Sequence, residues 1–137
     1  MVVQLTEDDI ILNISHSHDF TGYLILIFFE LLRERFRELL VEHCHHHCDV
    51  GYYAQELCVS RDYLSRIIRE HDGGSAMKWI TNAIVTESKY LMRQSGKTIN
   101  EIALEMNFPD QSTFGKFFKK QTGVSTKEYK RRLKTIK

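Results

Sequence analysis

The stretch NFPDQSTFGKFFKKQTGVS, residues 107–125, sets Phe114, Phe117 and Phe118 at i, i+3 and i+4. On a helix these rings form one stripe, so Gln111, Ser112, Thr113, Lys116 and Lys119 point to the other side. Hydrocarbon on one face is thus backed by amides, hydroxyls and ammonium groups on the other. A polar helical face ordinarily meets only water. Whether this one has a partner depends on the rest of the chain.

Immediately upstream, Thr98 and Glu101 have capping-box spacing, and Ile99, Ile102, Ala103 and Met106 form an inward stripe. The same pattern occurs earlier. YYAQELCVSRDYLSRII, residues 52–68, compares with NEIALEMNFPDQSTFGKFF, residues 100–118. Each has an apolar residue, alanine, two further residues and another apolar residue, then a short turn, an apolar residue and a second helix whose apolar positions face back. This is the pattern of a helix-turn-helix. Two helices crossing steeply touch where a small side chain lets the backbones approach, which Ala54 and Ala103 provide. The turn needs a residue that tolerates a left-handed backbone; Asn107 meets this demand, whereas Cys58 in the equivalent place is only small. Phe114 lies six beyond Phe108 where Leu64 lies five beyond Val59, so the second turn is predicted to be slightly longer. Two copies are harder to dismiss than one.

Both second helices turn a polar stripe outward. In the first it is Arg61, Asp62, Ser65, Arg66 and Arg69; in the second, Gln111, Ser112, Thr113, Lys116 and Lys119. Such side chains suit base edges and phosphates. The candidate base readers are Asp62, Ser65, Arg66, Gln111, Ser112, Thr113 and Lys116; the candidate phosphate contacts are Arg61, Arg69, Lys119 and Lys120. Asp62 has two readings: a partner for cytosine N4, or a favourable charge in a first helical turn.

Charge points the same way. The chain of 137 residues has a formal net charge of +1, which conceals a strong asymmetry. Residues 1–59 hold three arginines against ten carboxylates, and the remainder holds sixteen Lys or Arg against eight acids. A basic half of this kind is the footprint of a polyanion binder.

One proline, Pro109, and apolar spacings of three and four throughout make the predicted class all-α, with about seven helices and no strands. A long first helix is predicted from Gly22 to His46, with Leu24, Ile27, Phe28, Leu31, Leu32, Phe36, Leu39 and Leu40 inward. Asp49 and Ser60 are placed to cap the two helices of the first unit. Ser75 opens a connecting helix reaching about Gln94, with Met77, Ile80, Ile84 and Leu91 on one side, and Ser95-Gly96 ends it. Ser125 with Glu128 forms a second capping box. The predicted organisation is an acidic N-terminal tail or the end of an absent domain over 1–20, a first helix-turn-helix subdomain over 21–74, a linker helix over 75–95 and a second subdomain over 96–137. Twenty linker residues give about 30 Å, close to the ~34–36 Å between major-groove faces one turn apart.

Taken together, YYAQELCVSRDYLSRIIREHDGGS and TINEIALEMNFPDQSTFGKFFKKQTGVSTKEY resemble the DNA-binding domain of the AraC/XylS family of bacterial transcription regulators. With the linker the resemblance covers roughly residues 22–133. It implies a homeodomain-like fold whose third and sixth helices enter consecutive major grooves, with Asp62, Ser65 and Arg66 in the first and Gln111, Ser112, Thr113 and Lys116 in the second. Double-stranded DNA is the implied partner, and the family allows RNA polymerase as a second. Members usually add an N-terminal effector-binding or dimerising domain, which this stretch does not supply. Thr126 stands where the family commonly has proline, and Asn107 where it usually has glycine.

Other classes fare less well. The run HCHHHC, residues 43–48, pairs His43 with His47 and Cys44 with Cys48 at i, i+4, as a metal-responsive regulator would; however, the pairs diverge by about 100° on a helix, and a helix C-terminus favoured by imidazoles is the simpler reading. Neither a metal nor a cofactor is therefore expected. An enzyme is disfavoured, since no nucleophile comes with a base motif and no glycine-rich phosphate loop appears. A helical module binding an acidic protein partner is the remaining alternative. The longest apolar run, Tyr23–Phe29, is too short for a membrane span, and three cysteines cannot all pair, so a reducing cytoplasm is expected.

Overall fold

The computed structural model describes residues 18–135 except 73 and 95, and every regular element among them is a helix. The acidic stretch 1–17, Gly73 and Ser95 lie outside the described residues. Seven helices follow in order: α1 His18–His43, α2 Val50–Glu56, α3 Arg61–Asp72, α4 Ala76–Arg93, α5 Ile99–Glu105, α6 Gln111–Thr122 and α7 Thr126–Thr135. Helix α1 begins before Gly22, because one interior glycine weakens a helix by only ~0.5–1 kcal/mol and need not stop it. It also ends earlier than expected, at His43; the chain then turns, and His46 and His47 both donate to the His43 carbonyl at 3.0 and 2.9 Å.

The linker helix α4 is a spine. It packs against all six other described helices: α1, α2 and α3 on one side of the sequence, and α5, α6 and α7 on the other. Ala76, Ile80, Ile84, Leu91 and Met92 are buried on it, together with Ser88, whose hydroxyl donates back to the Ile84 carbonyl at 2.7 Å. Met77, expected inward, is 46% exposed. At the start of α4 the inward places belong to Ala76 and Ile80, four apart, which leaves Met77 about a hundred degrees round the helix. Phe36 of α1 stacks on Trp79 with ring centroids 5.3 Å apart, and the Arg37 guanidinium covers Trp79 at 4.9 Å. Phe36, Leu39, Leu40, Tyr53, Leu64, Ile68, Ile102, Phe114 and Phe118 continue this one core cluster from end to end.

The two turns match bond for bond. In the first, Val59 N–H donates to the Ala54 carbonyl at 3.0 Å and Cys58 N–H to Gln55 at 3.1 Å; in the second, Phe108 donates to Ala103 at 2.9 Å and Asn107 to Leu104 at 3.0 Å. This is the Schellman arrangement, which requires a left-handed residue just past the helix. Asn107 has φ 63° as expected, and Cys58 has φ 59° as well. Cysteine has no intrinsic taste for this region; the paired carbonyls of α2 impose it. Four residues separate α2 from α3 and five separate α5 from α6, so the second turn is the longer.

A stability prediction follows from Cys58. A non-glycine residue in the left-handed region costs roughly 1–2 kcal/mol, and glycine's own entropic penalty is about 0.5–1 kcal/mol. Because the Cys58 side chain is exposed and little packing depends on it, Cys58→Gly is expected to stabilise the fold by roughly 0.5–1 kcal/mol in urea denaturation.

Among the described residues no helix is long and apolar enough to cross a membrane.

Candidate nucleic-acid interface

Each second helix of a pair, α3 and α6, is held by its apolar side and presents the other. In α3, Leu64, Ile67 and Ile68 are buried; in α6, Phe114 and Phe118 are fully buried, while Phe117 is half-buried against Phe108 with centroids 5.3 Å apart. The opposite faces are open. Arg61, Asp62, Arg66 and Arg69 of α3 are exposed, with Ser65 half-buried among them; Gln111, Ser112, Thr113, Lys116, Lys119 and Lys120 of α6 are all exposed. The structure thus brings the candidates of each stripe onto one outward face.

The helix starts are fixed by side-chain caps. Ser60 accepts from Tyr63 N–H at 3.0 Å at the head of α3. At the head of α6 the cap is Asp110, whose carboxylate accepts from the Thr113 N–H at 2.7 Å and from the Thr113 hydroxyl at 2.8 Å. The sequence reading missed this residue, although an aspartate directly before a helix with a donor three residues on is a recognisable signal. The Thr113 bonds, backbone first and hydroxyl second, hold the Asp110 pKa below its ordinary value, and Lys116 lowers it further. The capping contribution is therefore fully present above the ordinary aspartate range and is lost as pH falls through the lowered pKa. The Thr113 hydroxyl proton is committed to Asp110, so this side chain can offer a partner only a methyl group and an acceptor lone pair.

Arg66 is positioned within its own helix. Its guanidinium lies 5.5 Å from the centroid of Tyr63, one turn earlier, close enough for a cation–π contact. Asp62 sits in the first turn of α3, where a negative charge is favoured, and its side chain also reaches solvent. Arg61 bonds Asp49 instead of standing free, with Nη2 at 3.0 Å from Oδ1. Asp49 occupies the N-cap position of α2 but its side chain accepts no capping bond, contrary to the sequence expectation. The arginine, twelve residues on, has taken the carboxylate, and no local pattern announces such a pair.

The two capping boxes expected from the sequence are half made. Thr98 accepts from Glu101 N–H and Ser125 from Glu128 N–H, both at 3.1 Å. Glu101 reaches the Thr98 hydroxyl at 3.1 Å, and Glu128 turns to Arg131 and Arg132 at 2.6 and 3.3 Å. These basic partners, Arg131 first, lower the Glu128 pKa.

The His/Cys run does not assemble. The His43 and His47 rings stay in edge contact with centroids 6.1 Å apart, but Cys44 is buried, Cys48 is exposed, and His47 stacks on Tyr52 at 3.6 Å. Burial pushes the Cys44 thiol up to about 11, and Tyr53 donates its hydroxyl to the His47 carbonyl at 2.7 Å. Among the described residues no group of three or more His, Cys, Asp or Glu side chains is arranged to hold a metal ion.

Two turn-matched helix pairs on one spine helix, each turning a polar stripe outward, define a bipartite helix-turn-helix domain. The family model described as a helix-turn-helix domain matches residues 53–132. The chain belongs to the AraC/XylS family of helix-turn-helix regulators. It is 31% identical over 84 residues to the arabinose operon regulatory protein of Salmonella typhimurium, an alignment covering 61% of this chain and 30% of that one. The chain thus spans under a third of the length of this relative. Among solved structures, the C-terminal domain of AraT, a response regulator from Geobacillus stearothermophilus, superimposes with a TM-score of 0.67 at 29% identity, covering 74% of this chain and 84% of that one. The DNA-binding domain of AdpA, a global transcriptional factor, solved in complex with a target DNA, shares the fold with a TM-score of 0.67 at 24% identity, over 77% of this chain and 95% of that one.

Proposed function

We propose that this chain is the DNA-reading part of a transcription regulator and that α3 and α6 enter two successive major grooves on one side of the duplex. The observation that carries the reading is the pair of matched turns, each presenting a polar stripe from a helix anchored to α4. Eighteen residues of α4 span about 27 Å, which with the widths of the reading helices suits two grooves ~34–36 Å apart. Asp62, Ser65 and Arg66 are assigned to bases in one groove, and Gln111, Ser112, Thr113 and Lys116 to bases in the next. Subdomains at 21–74 and 96–137 flanking the α4 linker belong to the same proposal, as do RNA polymerase as a partner, an effector-binding or dimerising region elsewhere in the whole protein, and a cytoplasmic location beside the DNA.

Titration with arbitrary duplex DNA at low salt tests it. Weak binding that falls steeply with salt is expected; absence of binding removes the proposal, and with it favours a protein partner for the same stripes. Arg61, Arg69, Lys119 and Lys120 are assigned to phosphates. Lys119 and Lys120 lie in the last turn of α6, beyond the bases that its first turns would reach. Lys119→Ala or Lys120→Ala is expected to weaken all sequences alike and to reduce the slope of log affinity against log salt by roughly 0.9 for each phosphate no longer neutralised. A sequence-selective weakening contradicts the phosphate assignment.

A further inference from the structure

The geometry points to Asp49 as a restraint on sequence-independent DNA binding, acting by holding the Arg61 guanidinium away from phosphate. The inference rests on the DNA-reading function proposed above. Three features of the structure meet here. The Asp49 backbone has the extended N-cap conformation, φ −103° and ψ 128°, yet its carboxylate leaves the α2 amides uncapped. That carboxylate accepts instead from Arg61 Nη2 at 3.0 Å, and both side chains remain more than half exposed, Arg61 at 61% and Asp49 at 66%. Gly51 supplies the room: a Cβ there would stand 2.8 Å from Nη2 and 2.9 Å from Asp49 Oδ2. The pair is therefore laid over the first turn of α2, in the space that a glycine leaves open at that position.

Arg61 is the first residue of α3, the end of a reading helix that lies nearest the DNA when such a helix docks. An exposed ion pair is weak, and a phosphate offers the guanidinium the same two-oxygen acceptor that a carboxylate does. Asp49 and phosphate hence compete for one guanidinium, and the negative charge of Asp49 adds its own repulsion. On arbitrary DNA, where no base contact holds α3 in the groove, this competition removes much of what Arg61 would add. On a site that satisfies Arg66 and its neighbours the same cost applies, as a smaller fraction of a larger total binding free energy. Asp49 thereby lowers sequence-independent affinity and leaves the ratio between specific and non-specific affinity to the base contacts.

Four proteins test this: D49N, G51A, R61A and the double variant D49N with R61A, each titrated with an arbitrary duplex and with a site selected from random duplexes, across a salt series. Asparagine caps helices as well as aspartate and alanine favours helix, so the folds should hold, and circular dichroism verifies that they do. D49N is expected to tighten arbitrary duplex binding roughly 2- to 5-fold near 0.1 M salt and to steepen the salt slope by about 0.9. G51A, which displaces the pair without changing charge, should move affinity in the same direction. In the R61A background the gain from D49N should largely vanish. A gain that persists undiminished without Arg61 overturns the restraint, because Asp49 would then act by its own charge alone. So does an unchanged affinity in D49N; a gain of similar size is expected on the selected site, and a gain confined to that site overturns the sequence-independent restraint. If the unaltered protein binds no duplex at low salt, the DNA-reading proposal itself fails, a result distinct from all of these.

Discussion

Replacing Ala103 by leucine is expected to destabilise the protein by about 1–3 kcal/mol and to displace α6 from its seat. Ala103 is fully buried in α5, its carbonyl accepts the turn bond from Phe108 N–H at 2.9 Å, and α5 packs against both α6 and the α4 spine. Three added carbons must be fitted into a crossing that leaves Ala103 no exposed surface. The crossing must open, and since α6 is held on that crossing by Phe114 and Phe118, its polar stripe must turn or shift with it. Thermal denaturation reads the first effect, at roughly 3–5 °C per kcal/mol for a chain of this length. The second appears as reduced selectivity at the half of the target read by α6. Ala54→Leu, at 2% exposure in α2, is the matching change for the first unit and should spare the second half of the target. Unchanged melting and binding in either variant would remove the helix-turn-helix assignment at that copy.

Ala103 also shows what was legible in the sequence. The phenylalanine stripe, the two alanines and Asn107 were readable because each expresses a local rule: a 3.6-residue period, a close backbone approach, a left-handed turn. Cys58 shared the turn geometry without the propensity. Its φ of 59° comes from hydrogen bonds that the flanking helices impose, and composition carries no sign of them. Glu101 and Glu128 had the right spacing for capping boxes, but where a carboxylate turns depends on which cations stand nearby in space, and Glu128 had Arg131 and Arg132 to satisfy. The same holds for Asp49, expected as a cap and found on Arg61. Met77 fell on the solvent side because an apolar residue at the edge of a stripe can be decided only by what packs opposite. The role of α4 as a spine touching every other described helix was likewise invisible, since a linker and a core helix share one periodicity.

Arg66→Ala is expected to relax base preference in one half of the target by about 1–3 kcal/mol per base and to leave the other half unchanged. The Arg66 side chain is exposed on α3, and its guanidinium stands 5.5 Å from the Tyr63 ring, which restricts its freedom before any DNA arrives. A guanidinium presented this way can bond guanine O6 and N7 together. The second unit offers different chemistry. Gln111, the first residue of α6, can bond adenine N6 and N7, while Thr113, its hydroxyl proton held by Asp110, offers a methyl group for thymine and one acceptor. The two halves of the target should therefore differ in sequence. Because α3 and α6 are joined head to tail through α4 and not by a two-fold axis, a single chain should select a non-palindromic site whose halves lie about one helical turn apart. Selection from random duplexes, repeated with Arg66→Ala and with Gln111→Ala, separates the contributions. If one chain selects a palindrome, or if both variants disturb the same base pairs, α3 and α6 do not read separate grooves and the two-groove arrangement is wrong.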